Sequence, residues 1–333
     1  MAHTQDPFAG GNAALITEFI AQAEVKERTR LKYRTHLLEF DRWLDKAGSP
    51  QAEGDVRKVQ TGDIARFMAY LRGGDRWAKS DVKKVGRDTP SPSTRKNFHA
   101  SLSSFYRYLT AVGLVSHNPV LAIDAPKVPH KPGLHLTADE VRRLLEWPGR
   151  PRERVQVFLI TFTGARSDEI RSLRWQDIDF PNQTMLIRGK GDKYRVIDIH
   201  PRLMAELRRW YLYQDVYAST HPGVRAAREN PETDYVLLTL FGKKVPNSTM
   251  LRQLKYRAAQ AGLHPVSGSD RDNCSKVTIH SLRRTFGSIL LNDGHHIDAV
   301  ADVLGHTSIN TTRKHYAFSS TERRKATIHG FNV

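Results

Sequence analysis

Apolar positions recur along the chain at two spacings, and these sort it into helices and a few short strands. Through the first third the spacing is helical. Leu15, Ile16, Phe19 and Ile20 share one side of a helix over 13–25. Leu31, Tyr33, Leu37, Leu38, Phe40 and Trp43 form a stripe over 29–46. Ile64, Phe67, Met68 and Leu71 repeat over 61–71, with Thr61 as the expected N-cap and Gly73-Gly74 as the stop. Ser91 then caps a helix to about 112 that turns Leu102, Phe105, Tyr106, Tyr108 and Leu109 inward.

The pattern breaks at 124–136, where three prolines and a glycine mark an extended linker. Beyond it, Thr137 with Glu140 three residues on is a capping box, opening a helix that carries Val141, Leu144 and Leu145. A nearly all-apolar helix over 152–162 reads as buried, and a short helix follows to 173. Runs at 184–188 and 194–199 read as strands, joined by Gly189-Lys190-Gly191-Asp192-Lys193 as a hairpin tip. Next come a helix over 201–213, a polar segment over 221–233 that reads as a loop, with a helical turn as the alternative, and a strand over 235–240. Helices over 247–261, 281–292, 297–304 and 310–318 complete the chain, with a polar loop over 267–274 between the first two. The expected fold is mainly α, with a small antiparallel β-sheet in the C-terminal domain. Its parts are a flexible leader (1–11), a helical domain (12–123), the linker (124–135), a second domain (136–318) and a tail (319–333).

Charge sharpens this picture. Among 333 residues, 52 Lys and Arg face 35 Asp and Glu, a net +17 that points to a polyanion, nucleic acid first. Lys83 and Lys84 in a basic connector, and Arg95 and Lys96 on the helix after it, are candidate phosphate contacts. A single cysteine, Cys274, cannot form an intrachain disulfide, which suits a reducing compartment. The first eleven residues lack a signal peptide's basic start and apolar core, and the most apolar stretch, 155–165, is too short for a bilayer. A soluble, cytoplasmic and nucleoid-associated protein without membrane contact is expected.

The candidate chemistry lies in the second domain. His280 and Arg283, three apart, lie on one face of a helix. Arg166 follows the turn Thr163-Gly164-Ala165, and Tyr316 arrives ten residues after His306. Guanidiniums are always charged and match phosphate oxygens. A phenol, with a pKa near 10, attacks only with a proton acceptor or a strong positive field, which His280 and His306 suit. Together they fit chemistry on a phosphate: cations hold a non-bridging oxygen while the phenolate attacks phosphorus. His295, His296, His306 and His315 cluster in sequence without a metal-ligand spacing, and no Gly-rich phosphate loop is present. Neither a metal site nor a cofactor is expected.

Over 136–317 the sequence resembles the tyrosine recombinase (phage integrase) family. The resemblance rests on Thr163-Gly164-Ala165-Arg166 with Glu169, Gly189-Lys190-Gly191, His280-Ser281-Leu282-Arg283, Leu304-Gly305-His306 and the late Tyr316, in that order. Much of the family has the tyrosine nine residues after the last histidine; here that position is His315. The resemblance implies a two-domain DNA clamp with 12–123 as core-binding domain. It implies Tyr316 as nucleophile, Arg166, His280, Arg283 and His306 on the scissile phosphate, Lys190 as general acid and Glu169 in support. Lys193 rivals Lys190 on the same tip, and Lys193 and Arg195 read as further DNA contacts. The implied activity is site-specific recombination through a 3′-phosphotyrosyl link, without ATP or metal, by a homo-tetramer on double-stranded DNA, with accessory DNA-bending proteins as further partners. The alternatives are a type IB topoisomerase-like nicking-closing enzyme, acting as a monomer, and a non-catalytic DNA-binding relative, which would carry a damaged constellation.

Overall fold

The computed structural model describes residues 10–73, 89–129, 133–189, 193–265 and 274–305. The chain divides into two compact units, Met1–His130 and Lys131–Val333.

The first unit holds helices α1 (Asn12–Gln22), α2 (Glu27–Ala47), α3 (Thr61–Tyr70) and α4 (Pro92–Ala111). Helical spacing gives each an apolar side, and these sides meet in one core. Leu15, Leu37, Phe40, Phe67, Leu102, Phe105 and Tyr106 are buried there. Phe40 meets Phe67 edge-on, with ring centres 4.9 Å apart. The buried Tyr106 hydroxyl donates to the Val56 carbonyl at 3.0 Å, so its burial leaves no polar group stranded. Ser91 caps α4 as its sequence predicts, its Oγ accepting the Thr94 N–H at 3.2 Å. Thr61, by contrast, is the first helical residue of α3. The Asp63 carboxylate accepts the Gln60 N–H at 3.0 Å, which moves the cap one residue back. Leu31 is 55% exposed, because burial on α2 begins only at His36.

The second unit is built around α6 (Pro151–Thr163), whose centre is buried at Val155, Val157, Phe158, Leu159 and Ile160. Against it pack α5 (Ala138–Glu146), α7 (Ser167–Arg171), α8 (Pro201–Thr220), α10 (Asn247–Gln260) and α11 (Ile279–Asn292). The capping box of α5 forms as expected: Thr137 Oγ1 accepts the Glu140 N–H at 3.2 Å, and Glu140 accepts the Thr137 N–H at 2.8 Å. Just before it, the Leu136 N–H donates to Thr285 Oγ1 at 2.8 Å, and the Arg284 guanidinium lies where a Cβ on Gly133 would stand. The segment entering the unit is thereby pinned to α11.

Among the described residues the sheet has three antiparallel strands in the order β1 (Ile178–Asp179), β2 (Thr184–Arg188), β3 (Tyr194–Asp198). Ile187 pairs with Arg195 and Met185 with Ile197. Met185, Ile187 and Ile197 are buried, while Tyr194 and Val196 are exposed. Helices α9 (Pro222–Arg228) and α12 (Ile297–Leu304), with short 3-10 helices at Val56–Lys58 and Trp175–Asp177, complete the described elements.

Two expectations change here, and a third takes its helical alternative. The helix over 201–213 runs on to Thr220 and stops before His221-Pro222, since the residue ahead of a proline disfavours helix. Part of the polar segment 221–233 is helical, as α9. The run 235–240 bends at Val236 and Leu237 and, among the described residues, forms no ladder, only single bridges from Tyr235 to Arg174 and from Leu238 to Lys244. At the Val236 carbonyl, side chains of α8 take the place of a strand partner: Trp210 Nε1 and Gln214 Nε2 donate to it at 2.6 and 3.0 Å. The expected helix over 310–318, the tail, most of the loop over 267–274 and most of the leader lie outside the described residues.

Candidate active site

Gly164 ends α6 at φ +56°, in the left-handed region. A Cβ there would stand 2.6 Å from Phe286 Cδ1 and 2.8 Å from Leu304 Cδ2, so the turn needs glycine for space as well as for backbone angle. The turn delivers Arg166 to the start of α7. Glu169, one turn on and buried, accepts the Arg166 backbone N–H at 2.9 Å and Arg166 Nη1 at 2.7 Å. Arg195 Nη2, arriving from β3, donates to the same carboxylate at 2.9 Å. Burial pushes the Glu169 pKa up, but the bonds from Arg195 and Arg166 outweigh it and hold the group below the usual carboxylate value.

Helix α11 is opened by a reciprocal cap: Thr278 Oγ1 accepts the Ser281 N–H at 3.0 Å, and Ser281 Oγ accepts the Thr278 N–H at 2.7 Å. His280 therefore lies inside the first turn, where the sequence placed it just ahead of the helix. Arg283 follows one turn later. Arg283 is buried, and its Nη1 and Nη2 donate to the carbonyls of Gly164 and Leu304, both at 2.7 Å. Helix α12 ends at Gly305, at φ +65°. Arg166 Nη2 donates to the Gly305 carbonyl at 3.2 Å, and Arg195 Nε to the Val303 carbonyl at 2.8 Å. Three guanidiniums from three elements thus meet three consecutive carbonyls at the negative end of one helix.

His280 is exposed in the first turn of α11, yet it feels the guanidiniums around it. Lost hydration, then the positive charges of Arg283, Arg284 and Arg166, push its pKa below the ordinary imidazole value. Neutral imidazole is favoured, the form that accepts a proton. The hairpin closes where the Gly189 N–H donates to the Lys193 carbonyl at 2.7 Å. A Cβ on Gly189 would stand 3.9 Å from Glu169 Oε1, so the base of the tip lies beside that carboxylate.

The structure thus brings together Arg166, Glu169, His280 and Arg283. Lys190, His306 and Tyr316 lie outside the described residues, as do Lys83 and Lys84. Lys193 is exposed at the base of the hairpin tip. In the other unit Lys96 is exposed on α4, and the half-buried Arg95 donates through Nη1 to the Pro90 carbonyl at 3.2 Å. Arg195, expected at the DNA, turns inward: its side chain is 13% exposed and bound to Glu169 and Val303. The alternation of β3 carried that signal, since Arg195 shares a face with the buried Ile197. The part played by the end of α12 had no such local sign.

Residues 135–323 match the Phage integrase family. The chain belongs to this family. It is a tyrosine recombinase. Tyrosine recombinase XerC of Roseiflexus sp. (strain RS-1) is 29% identical over 306 residues, covering 90% of this chain and 86% of that protein. The crystal structure of the XerH site-specific recombinase bound to its difH substrate, a pre-cleavage complex, has a TM-score of 0.65 at 20% identity, covering 97% of this chain and 86% of that one. A lambda integrase tetramer bound to a Holliday junction has a TM-score of 0.63 at 17% identity, covering 93% of this recombinase and 79% of that chain. Both solved structures share its fold. Among its described residues, no helix is long and apolar enough to cross a membrane.

Proposed function

We propose that this recombinase cuts and rejoins specific DNA sites through a covalent 3′-phosphotyrosyl intermediate. One convergence supports the reading above all. Arg166 and Arg283, from separate elements, are oriented by adjacent carbonyls, Gly305 and Leu304, and both charges act on His280. A fixed cluster of this kind neutralises a phosphodiester without having to reorganise.

In this reading Arg166, Arg283, His280 and His306 hold the non-bridging oxygens. The Tyr316 oxygen gives up its proton to a neighbouring histidine and attacks phosphorus. As the bond to the 5′ oxygen breaks, Lys190 protonates that oxygen, leaving a 5′ hydroxyl. A 5′ hydroxyl of a partner strand then attacks the phosphotyrosyl phosphorus, and Tyr316 departs and regains a proton. One phosphodiester is exchanged for another, so the covalent link stores the energy and no ATP is consumed. Two such exchanges pass through a four-way junction, with a homo-tetramer spanning two duplexes. The lambda integrase tetramer on its junction supports that assembly. The helical domain over 12–123 closes the clamp, with Lys83, Lys84, Arg95 and Lys96 on phosphates and Lys193 on the DNA near the hairpin. Tail residues Ile328 and Phe331 anchor on a neighbouring protomer, and accessory DNA-bending proteins shape the sites. The work is done in the cytoplasm, at the nucleoid.

The test is covalent trapping on a nicked suicide substrate drawn from DNA flanking the gene, comparing wild type with Tyr316→Phe and His315→Ala. An adduct lost only in Tyr316→Phe is expected. An adduct that survives that change would assign the nucleophile to another tyrosine. Tight binding without any adduct would favour a binding protein. Relaxation of supercoiled DNA lacking the site, by a monomer, would favour a nicking-closing enzyme.

A further inference from the structure

The bonds of Arg195 run between three parts of the site. It sits on β3 opposite Ile187, on the hairpin whose tip carries Lys190. Nη2 donates to Glu169 Oε2 at 2.9 Å, and Nε donates to the Val303 carbonyl at 2.8 Å. Nη1 lies 2.7 Å from where a Cβ on Gly305 would stand, so glycine at that position makes room for this guanidinium. Glu169 in turn holds Arg166, and Arg166 holds the Gly305 carbonyl. The ties form a closed loop: β3 to Glu169, Glu169 to Arg166, Arg166 to the end of α12, and the end of α12 back to β3.

We propose that Arg195 is a positioning residue for strand cleavage, locking the β2–β3 hairpin onto the Arg166–Glu169 pair and onto the last turn of α12. The inference rests on the phosphotyrosyl reading above. Without Arg195, the Glu169 carboxylate falls to Arg166 alone and draws that guanidinium away from the phosphate. The hairpin also loses its hold on the helix that leads into His306. Since Arg195 points inward, its loss should be felt in the chemistry and spare the grip on DNA.

The experiment measures single-turnover adduct formation at saturating suicide substrate, and DNA affinity separately, for wild type, Arg195→Lys, Glu169→Gln and the double variant. Tyr316→Phe serves as the blank. An ammonium keeps the charge but cannot span Glu169 and the Val303 carbonyl together. Cleavage by Arg195→Lys is expected to fall by about a hundred-fold with DNA affinity unchanged, the scale of a reacting group displaced by about an ångström. In the Glu169→Gln background the same change should cost far less, because the two residues act through one contact. Wild-type cleavage by Arg195→Lys would overturn the proposal. Loss of affinity matching the loss of cleavage would also overturn it, by making Arg195 a DNA contact. Strictly multiplicative effects would do the same. If wild type forms no adduct, it is the phosphotyrosyl reading that fails. Arg195→Met, followed by thermal unfolding, shows whether the loop of ties also carries stability.

Discussion

A carbonyl at the end of a helix has lost its N–H partner, and here three such carbonyls are met by arginines. Their spacing depends on two glycines. Replacing Gly164 by alanine puts a Cβ against Phe286 and Leu304 at a backbone angle alanine disfavours. The expected cost is about 1–3 kcal/mol, seen as a lower urea midpoint. His280 makes a prediction with a definite sign. Its folded pKa lies below the ordinary 6.5, so the unfolded chain binds the proton more readily. Its contribution to stability is present above that value and is lost as pH falls through the folded pKa. A His280→Gln variant should lose less stability than wild type between about pH 7.5 and about pH 5.5 in paired urea titrations, an equal loss in both being the contrary result. Glu169 has the carboxylate counterpart: held below its ordinary value, it supports the fold above that value and withdraws its support as pH drops through the lowered one.

Elements whose logic is local were readable in advance. Leu144 and Leu145 on α5, the buried centre of α6, the β2–β3 hairpin and the apolar stripe of α4 follow from spacing alone. So does the Thr137–Glu140 box, and Thr137→Ala should cost about 1 kcal/mol in equilibrium unfolding. What stayed hidden depends on partners distant in sequence. Val236, Leu237 and Leu238 are buried in a row and read as part of a strand, yet the Val236 carbonyl is met by Trp210 and Gln214 on α8 and not by a neighbouring strand. The alternation of β3 turns Arg195 inward, but its acceptor, the Val303 carbonyl, lies more than a hundred residues away in sequence. For the site, Arg166, Glu169, His280 and Arg283 were all singled out by motif. The closure of their contacts through the last turn of α12 was not, because a carbonyl acceptor leaves no mark in a side-chain pattern.

For the whole molecule the net charge of +17 has a measurable consequence. If six or more phosphates are neutralised on binding, affinity should fall by at least about a thousand-fold between about 50 and about 200 mM salt. Fluorescence anisotropy over that range gives the slope, and a flat response would mean that the basic surface is not the binding surface. The second unit is also entered in an unusual way. The Leu136 N–H is tied to Thr285, and Gly133 lies under Arg284, both on α11 directly after Arg283. In mechanical terms this is a load path. A pull arriving along the chain ahead of Gly133 is borne first by the helix that carries His280 and Arg283, before any other part of the unit feels it.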